Sequence, residues 1–159
     1  MNYILDPSME MYDSIVFSPP PIPGCDSLQY TPKYWKSPNS GSPDYIISYN
    51  NSCYFPWWPY SCCVPKNNRG WQWPKNGDAY YFLGNFNYYS TYDTTQQDES
   101  IIGVLTNKLE ANRTYCLSFY LSHADVYNLT MDQIGVFFSK TDYYTPFSTI
   151  DSIPQLVIH

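Results

Sequence analysis

The sequence predicts an all-β fold, an antiparallel β-sandwich of jelly-roll type with long aromatic and Pro-rich loops, and three observations lead there. The chain of 159 residues holds 14 Pro against 7 Gly, with Asn, Ser and Thr filling the spaces, so turns are easy to place and long helices are not. Its apolar residues fall into short runs with strand-like alternation, separated by turn-forming sequence. No helical pattern joins successive runs, which favours antiparallel pairing over parallel βαβ units. The length suits one domain with a real core and is too short for two, so a single domain over 1–159 is expected.

The elements follow in order. Ile4 to Tyr12 reads as a first strand, interrupted by Asp6-Pro7 and so confined to an edge or a bulge. From Ser18 to Pro43 the chain is dense in Pro, Ser and Asn, a loop whose embedded Tyr34 and Trp35 need somewhere to pack. Asp44 to Tyr49 is a short strand. Asn50 to Asn76 is a second, aromatic loop carrying Phe55, Trp57, Trp58, Tyr60, Trp71 and Trp73. Asp78 to Gly84, Glu99 to Leu105, Thr114 to Ser122, Gln133 to Ser139 and Gln155 to Ile158 complete the strands. Within Thr114 to Ser122, alternation puts Tyr115, Leu117, Phe119 and Leu121 on one face and Cys116 on the other. No internal repeat is visible.

Charge and composition narrow the partners. The net charge is −6 and the eight Lys and Arg are scattered singly along the sequence, which argues against nucleic acid. Aromatic residues reach 19% against 14% charged, and most are Tyr, which offers a flat apolar face and a polar tip. Such a surface suits polyhydroxylated or protein ligands. No run of about 18 apolar residues exists, so no spanning helix is expected. Met1 to Tyr12 has neither a basic n-region nor an apolar h-region, so an exported chain is expected to have had its leader removed or replaced.

Five cysteines, Cys25, Cys53, Cys62, Cys63 and Cys116, lack the paired C-x-x-C spacing of a tetrahedral zinc site. Four lie in loop-like sequence, where they can fold over the face that carries Cys116. Disulfides are therefore the leading expectation, with connectivity open; the odd count leaves one thiol over unless it bridges another chain or Cys62 and Cys63 pair with each other. Free buried thiols in a reducing compartment are the alternative. Three sequons, at Asn50, Asn112 and Asn128, matter only on a eukaryotic secretory route.

Four segments, in order along the chain, carry a resemblance. They are ILDPSMEMY (Ile4 to Tyr12), YWKSPNSGSPDYI (Tyr34 to Ile46), VPKNNRGWQWPKNGDAYYFLGNF (Val64 to Phe86) and LEANRTYCLSFYLSHAD (Leu109 to Asp125). Together they resemble the jelly-roll carbohydrate-binding-like domains of Bacteroidetes secreted and surface proteins. The resemblance covers most of the chain, and its motifs describe a scaffold and name no reaction. It implies an extracellular or cell-surface, outer membrane-associated location, commonly beside an envelope-anchoring domain or a type IX sorting domain. Met9 stands where the family has Phe and Asn112 where it has a turn Gly. The family's final strands, beyond Pro154-Gln155, have no counterpart, so the chain is expected either to be a fragment or to receive a strand from a partner at its C-terminal edge. Asp-Ser/Thr-apolar segments beginning at Asp13, Asp26, Asp93 and Asp151 also look like Bacteroidetes O-glycosylation acceptors, in keeping with export.

Three sets of residues are candidates for function. Trp57, Trp58, Tyr60, Trp71 and Trp73 are the ligand-binding candidates: on extended backbone Trp71 and Trp73 face the same way, and sugar rings stack on such platforms. The competing reading folds these rings over the sandwich as a mini-core. Glu10, by the resemblance, is the candidate ligand for a structural calcium. Asp13, Asp78, Asp93, Asp98 and Glu99 can add hard oxygen donors, although a capped turn or a solvated acidic edge explains them more simply. His123 and Asp125 share a strand face and can orient a base, but no nucleophile motif accompanies them, so no catalysis is expected, nor any cofactor besides that calcium. The expected function is a non-catalytic, glycan-binding-like surface module that contacts polysaccharide. The alternative is a structural or adhesive subunit that binds neighbouring surface proteins by strand addition and aromatic loops.

Overall fold

The computed structural model describes residues 2–13, 31–38, 43–47, 64–67, 69–86, 97–128, 131, 133–141 and 154–158. Among them every regular element is a strand and every pairing is antiparallel, as the Pro-rich, alternating sequence predicts. The strands are β1 (Tyr12–Asp13), β2 (Thr31–Pro32), β3 (Trp35–Lys36), β4 (Asp44–Ile47), β5 (Lys66–Asn67) and β6 (Gly70–Trp71). They continue with β7 (Ala79–Phe82), β8 (Asn85–Phe86), β9 (Gln97–Asp98), β10 (Ile102–Gly103), β11 (Ile134–Val136) and β12 (Leu156–Ile158). They pair two by two: β1 with β2, β3 with β10, β4 with β7, β5 with β6, β8 with β9 and β11 with β12. No helix among the described residues is long and apolar enough to cross a membrane.

Backbone hydrogen bonds outside the ladders join several of these pairs near the chain start. Residues 31–33 lie against 11–13, with Lys33 N–H donating to Met11 O at 2.8 Å. The 102–106 stretch then takes up β3 at one end and the first residues of the chain at the other. Ile102 and Gly103 pair with Lys36 and Trp35, while Leu5 N–H donates to Val104 O at 2.8 Å and Thr106 N–H to Tyr3 O at 2.7 Å.

The predicted first strand is thus split at Asp6-Pro7, as the proline requires. Ile4 bridges Leu105, the chain turns through residues 6–10, and β1 begins at Tyr12. Asp6 and Met9 adopt φ of 50° and 62°, and the buried Asp6 carboxylate organises the turn. It accepts from Glu10 N–H at 3.0 Å and Met11 N–H at 2.8 Å, and the Trp35 indole donates to Asp6 O at 2.8 Å. Trp35 finds its packing place there.

The core sits on β4. All four of its residues are buried, which for an Asp-Tyr-Ile-Ile strand means cover on both faces. Tyr45, Ile47 and Ala79 form one cluster, with Met9, Tyr12 and Tyr81 packed against it, while Ile46 points the other way and is 0% exposed. The Tyr45 hydroxyl donates to Met9 O, tying the core to the 6–10 turn. Burial pushes the Tyr45 and Tyr81 phenols well above the ordinary tyrosine range.

Two expectations are corrected. Residues 64–71, read as loop, form the β5–β6 hairpin. Its strands lack apolar alternation; its turn is closed by the Asn67 side chain accepting from Arg69 N–H at 2.8 Å and by Gly70 at φ 134°. Conversely, Thr114 to Ser122 makes no ladder among the described residues. Its alternation appears at first, with Tyr115 and Leu117 partly covered and Cys116 exposed, but fails further on, where Phe119, Tyr120 and Leu121 are all exposed. Period-2 patterning makes a chain fit a pleated surface without supplying the neighbouring strand.

Candidate functional site

The β5–β6 hairpin is too short to stand alone, since an isolated two-stranded hairpin is marginal in water, and three side chains fasten it. Asn67 Nδ2 donates to the Tyr80 hydroxyl at 2.7 Å, linking β5 to β7. Arg69 reaches the buried Asp44 carboxylate with Nε at 3.2 Å and Nη2 at 2.7 Å, and Nη1 donates to the Tyr127 hydroxyl at 2.5 Å. Its guanidinium also lies 4.4 Å from the Phe82 ring centre, and Phe82 in turn stacks on Tyr127 at 5.9 Å. Burial pulls the Arg69 pKa down, but the bond and charge of Asp44 outweigh it and the guanidinium is held more firmly protonated than usual. Third, Asp125 Oδ2 accepts from Trp71 N–H at 2.8 Å and sits so close to Gly70 that a Cβ there would lie 2.6 Å from it.

Residues 120–127 therefore run alongside 69–75 in the opposite direction, joined by side chains in place of a backbone ladder. Arg69 meets Tyr127, Trp71 meets Asp125, the Ser122 hydroxyl donates to Gln72 Oε1 at 2.6 Å, and Lys75 Nζ lies 5.0 Å from the Tyr120 ring centre. The Gln72 amide is fixed at its other end by donating to Trp73 O at 2.6 Å.

On this double segment sit three open aromatic rings. Trp71 is 60% exposed, Trp73 59% and Tyr120 71%. These indoles do not serve as a mini-core. Trp57, Trp58 and Tyr60, the other ligand-binding candidates, lie outside the described residues, as do Cys25, Cys53, Cys62, Cys63 and His159. Tyr120 and Gln72 were missed by sequence reasoning, and the Ser-Phe-Tyr strand pattern that contains Tyr120 marks scaffold, giving no signal of exposure.

The remaining candidates have visible structural duties. Asp125 holds the Trp71 amide, and its neighbour His123 is exposed. Glu10 accepts from Asp78 N–H through one oxygen and from the Ser8 hydroxyl at 3.4 Å through the other, so it pins the 75–78 turn to the 6–10 turn. Glu99 accepts from Gly84 N–H at 2.5 Å. Among the described residues no three or more His, Cys, Asp or Glu side chains converge as a group that could hold a metal ion. Asp13 and Asp98 lie in β1 and β9, and Asp93 falls outside the described residues. No known protein family, curated protein or solved structure matches this chain.

Proposed function

We propose that this chain is a non-catalytic, glycan-binding-like module of the cell surface, built as a jelly-roll sandwich of the kind it resembles in Bacteroidetes secreted proteins. The observation that carries the reading is the exposure of Trp71 and Trp73 on a hairpin fixed from three sides. An open indole loses apolar hydration when a sugar ring covers it, and a fixed one loses little conformational entropy on binding. Gln72, which separates Trp71 and Trp73 along the chain, and Ser122, bonded to it, supply polar groups of the kind that orient a polyhydroxylated ligand. The test is binding of the purified chain to immobilised polysaccharides, compared with the Trp71→Ala/Trp73→Ala variant. Retention by at least one polysaccharide, lost in the double variant without loss of folding, is the expected result. Equal retention of both proteins on every surface refutes the site.

A second reading, an assembly subunit that binds neighbouring surface proteins by strand addition, is favoured by β12. Leu156, Val157 and Ile158 are all exposed although two adjacent residues of a strand face opposite ways, and β11–β12 is a two-stranded sheet among the described residues. An apolar strand of this kind can take an added strand along its edge. Concentration-dependent association abolished by Val157→Lys supports that reading, and a strictly monomeric protein with intact glycan binding removes it.

A further inference from the structure

The basic residues, scattered singly in the sequence, are not evenly placed in the fold. Lys66, Arg69 and Lys75, three of the chain's eight Lys and Arg, fall within ten residues on the hairpin segment that displays Trp71 and Trp73, in a chain of net charge −6. Arg69 is turned inward to Asp44. The two lysines are exposed. Lys66 stands directly opposite Trp71 in the β5–β6 register, and residues directly opposite across an antiparallel pair share a face. Lys75 follows Trp73 by two residues and carries its ammonium over the Tyr120 ring.

We infer that the Trp71, Trp73 and Tyr120 face takes an anionic polysaccharide, with Lys66 and Lys75 meeting carboxylate or sulfate groups. The inference rests on the glycan reading above and names the class of polymer. A neutral glycan gains only from the rings and the Gln72 and Ser122 groups. A polymer with an acidic group on its sugars stacks on the same rings and adds two ion pairs at an exposed rim, where complementary charge sets specificity and is screened by salt. Acidic chains are otherwise repelled by a protein of this net charge, so selectivity has to be local.

The experiment measures affinity of the full chain for polygalacturonate, dextran sulfate and a neutral mixed-linkage β-glucan. Each is tested at low and high salt, with the wild type, Lys66→Gln/Lys75→Gln, Lys66→Arg/Lys75→Arg and Trp71→Ala/Trp73→Ala. At low salt at least one anionic polymer is expected to bind about tenfold tighter than the neutral one, the worth of two exposed ion pairs together. The Gln variant and high salt should each erase that preference, and the Arg variant should keep it. The Trp variant should lose the anionic polymer too, which separates a stacked ligand from simple ion exchange. Equal affinity for the neutral glucan, insensitive to salt and to the Gln variant, overturns the inference and leaves the glycan reading standing. Anionic binding that survives the Trp variant overturns the inference, and failure of all three polymers to bind overturns it together with the proposed site for these ligands.

Discussion

Replacing Asp44 with Ala removes the acceptor on which the Arg69 fork closes, and the loss can be bracketed from the structure. A fully exposed pair contributes at most about 1 kcal/mol; breaking a fully buried pair costs about 3–5 kcal/mol because a charge is left without partner or water. This pair lies between the two, since the Asp44 side chain is 6% exposed and that of Arg69 26%. Once Asp44 is gone, Arg69 can turn partly to water, at the cost of its position over Phe82. About 2 kcal/mol is therefore expected for Asp44→Ala, near the value of hydrogen bonds to charged groups. Arg69→Lys, which keeps the charge and loses the fork, should cost about 1 kcal/mol or more. Urea unfolding followed by tryptophan fluorescence measures both, and the Asp44→Ala/Arg69→Ala double variant completes the cycle. A coupling energy below about 0.5 kcal/mol, within the error of additivity for independent sites, refutes the claim that this pair fastens the hairpin. If the hairpin is fastened this way, Asp44→Ala should also weaken polysaccharide binding although Asp44 itself is buried.

Three further perturbations test the frame. Gly77→Ala places a Cβ on the Glu10 carboxylate at a backbone φ of 67°, so it should cost about 1–3 kcal/mol by denaturant midpoint and cost less in a Glu10→Ala background. Ile46→Ala, at a position with no exposure, should cost about 2–5 kcal/mol and Ile46→Val about 0.5–1.5 kcal/mol; equal and small effects would show that Ile46 is not core. Because Tyr45 and Tyr81 are held protonated by burial, the unfolded chain releases their protons first as pH rises past the ordinary phenol value near 10. Their contribution is thus complete below that value and lost progressively above it, so the urea midpoint should hold up to about pH 10 and fall steadily as the pH is raised further, less steeply in Tyr81→Phe.

What the sequence made legible was local. The alternation of Asp44 to Tyr49 and Asp78 to Gly84 marked two strands that do pair, with Ile46 opposite Tyr80. Asp6-Pro7 announced the break in the first strand, and Asn112 adopts φ 61°, a left-handed position that Asn tolerates better than most residues. What stayed hidden was long-range. Nothing near Arg69 points to Asp44, 25 residues away, or to Tyr127, 58 residues away. The β5–β6 hairpin was invisible because Lys-Asn and Gly-Trp carry no strand periodicity; turn chemistry and side-chain partners from other segments make it.

The candidate site owes its form to that division. A strand ladder alongside Gly70 and Trp71 would fix the hairpin through backbone bonds and would demand a regular neighbour. Residues 120–127 supply instead a carboxylate, a phenol, a hydroxyl and a ring. Such contacts leave both segments' outward faces uncommitted, so Trp71, Trp73 and Tyr120 stay open to solvent while the backbone beneath them is held. Fastening by side chains also makes the face separable from the core. Ile46 and Tyr45 set whether the chain folds, whereas Asp125 and Ser122 set how well the aromatic row is held, and the second pair lies at the surface where its loss leaves little buried and unsatisfied. Binding and stability should accordingly respond to different residues, with the Asp44–Arg69 pair and the Asn67–Tyr80 bond belonging to both, since they join the β4–β7 sheet to the hairpin that carries the rings.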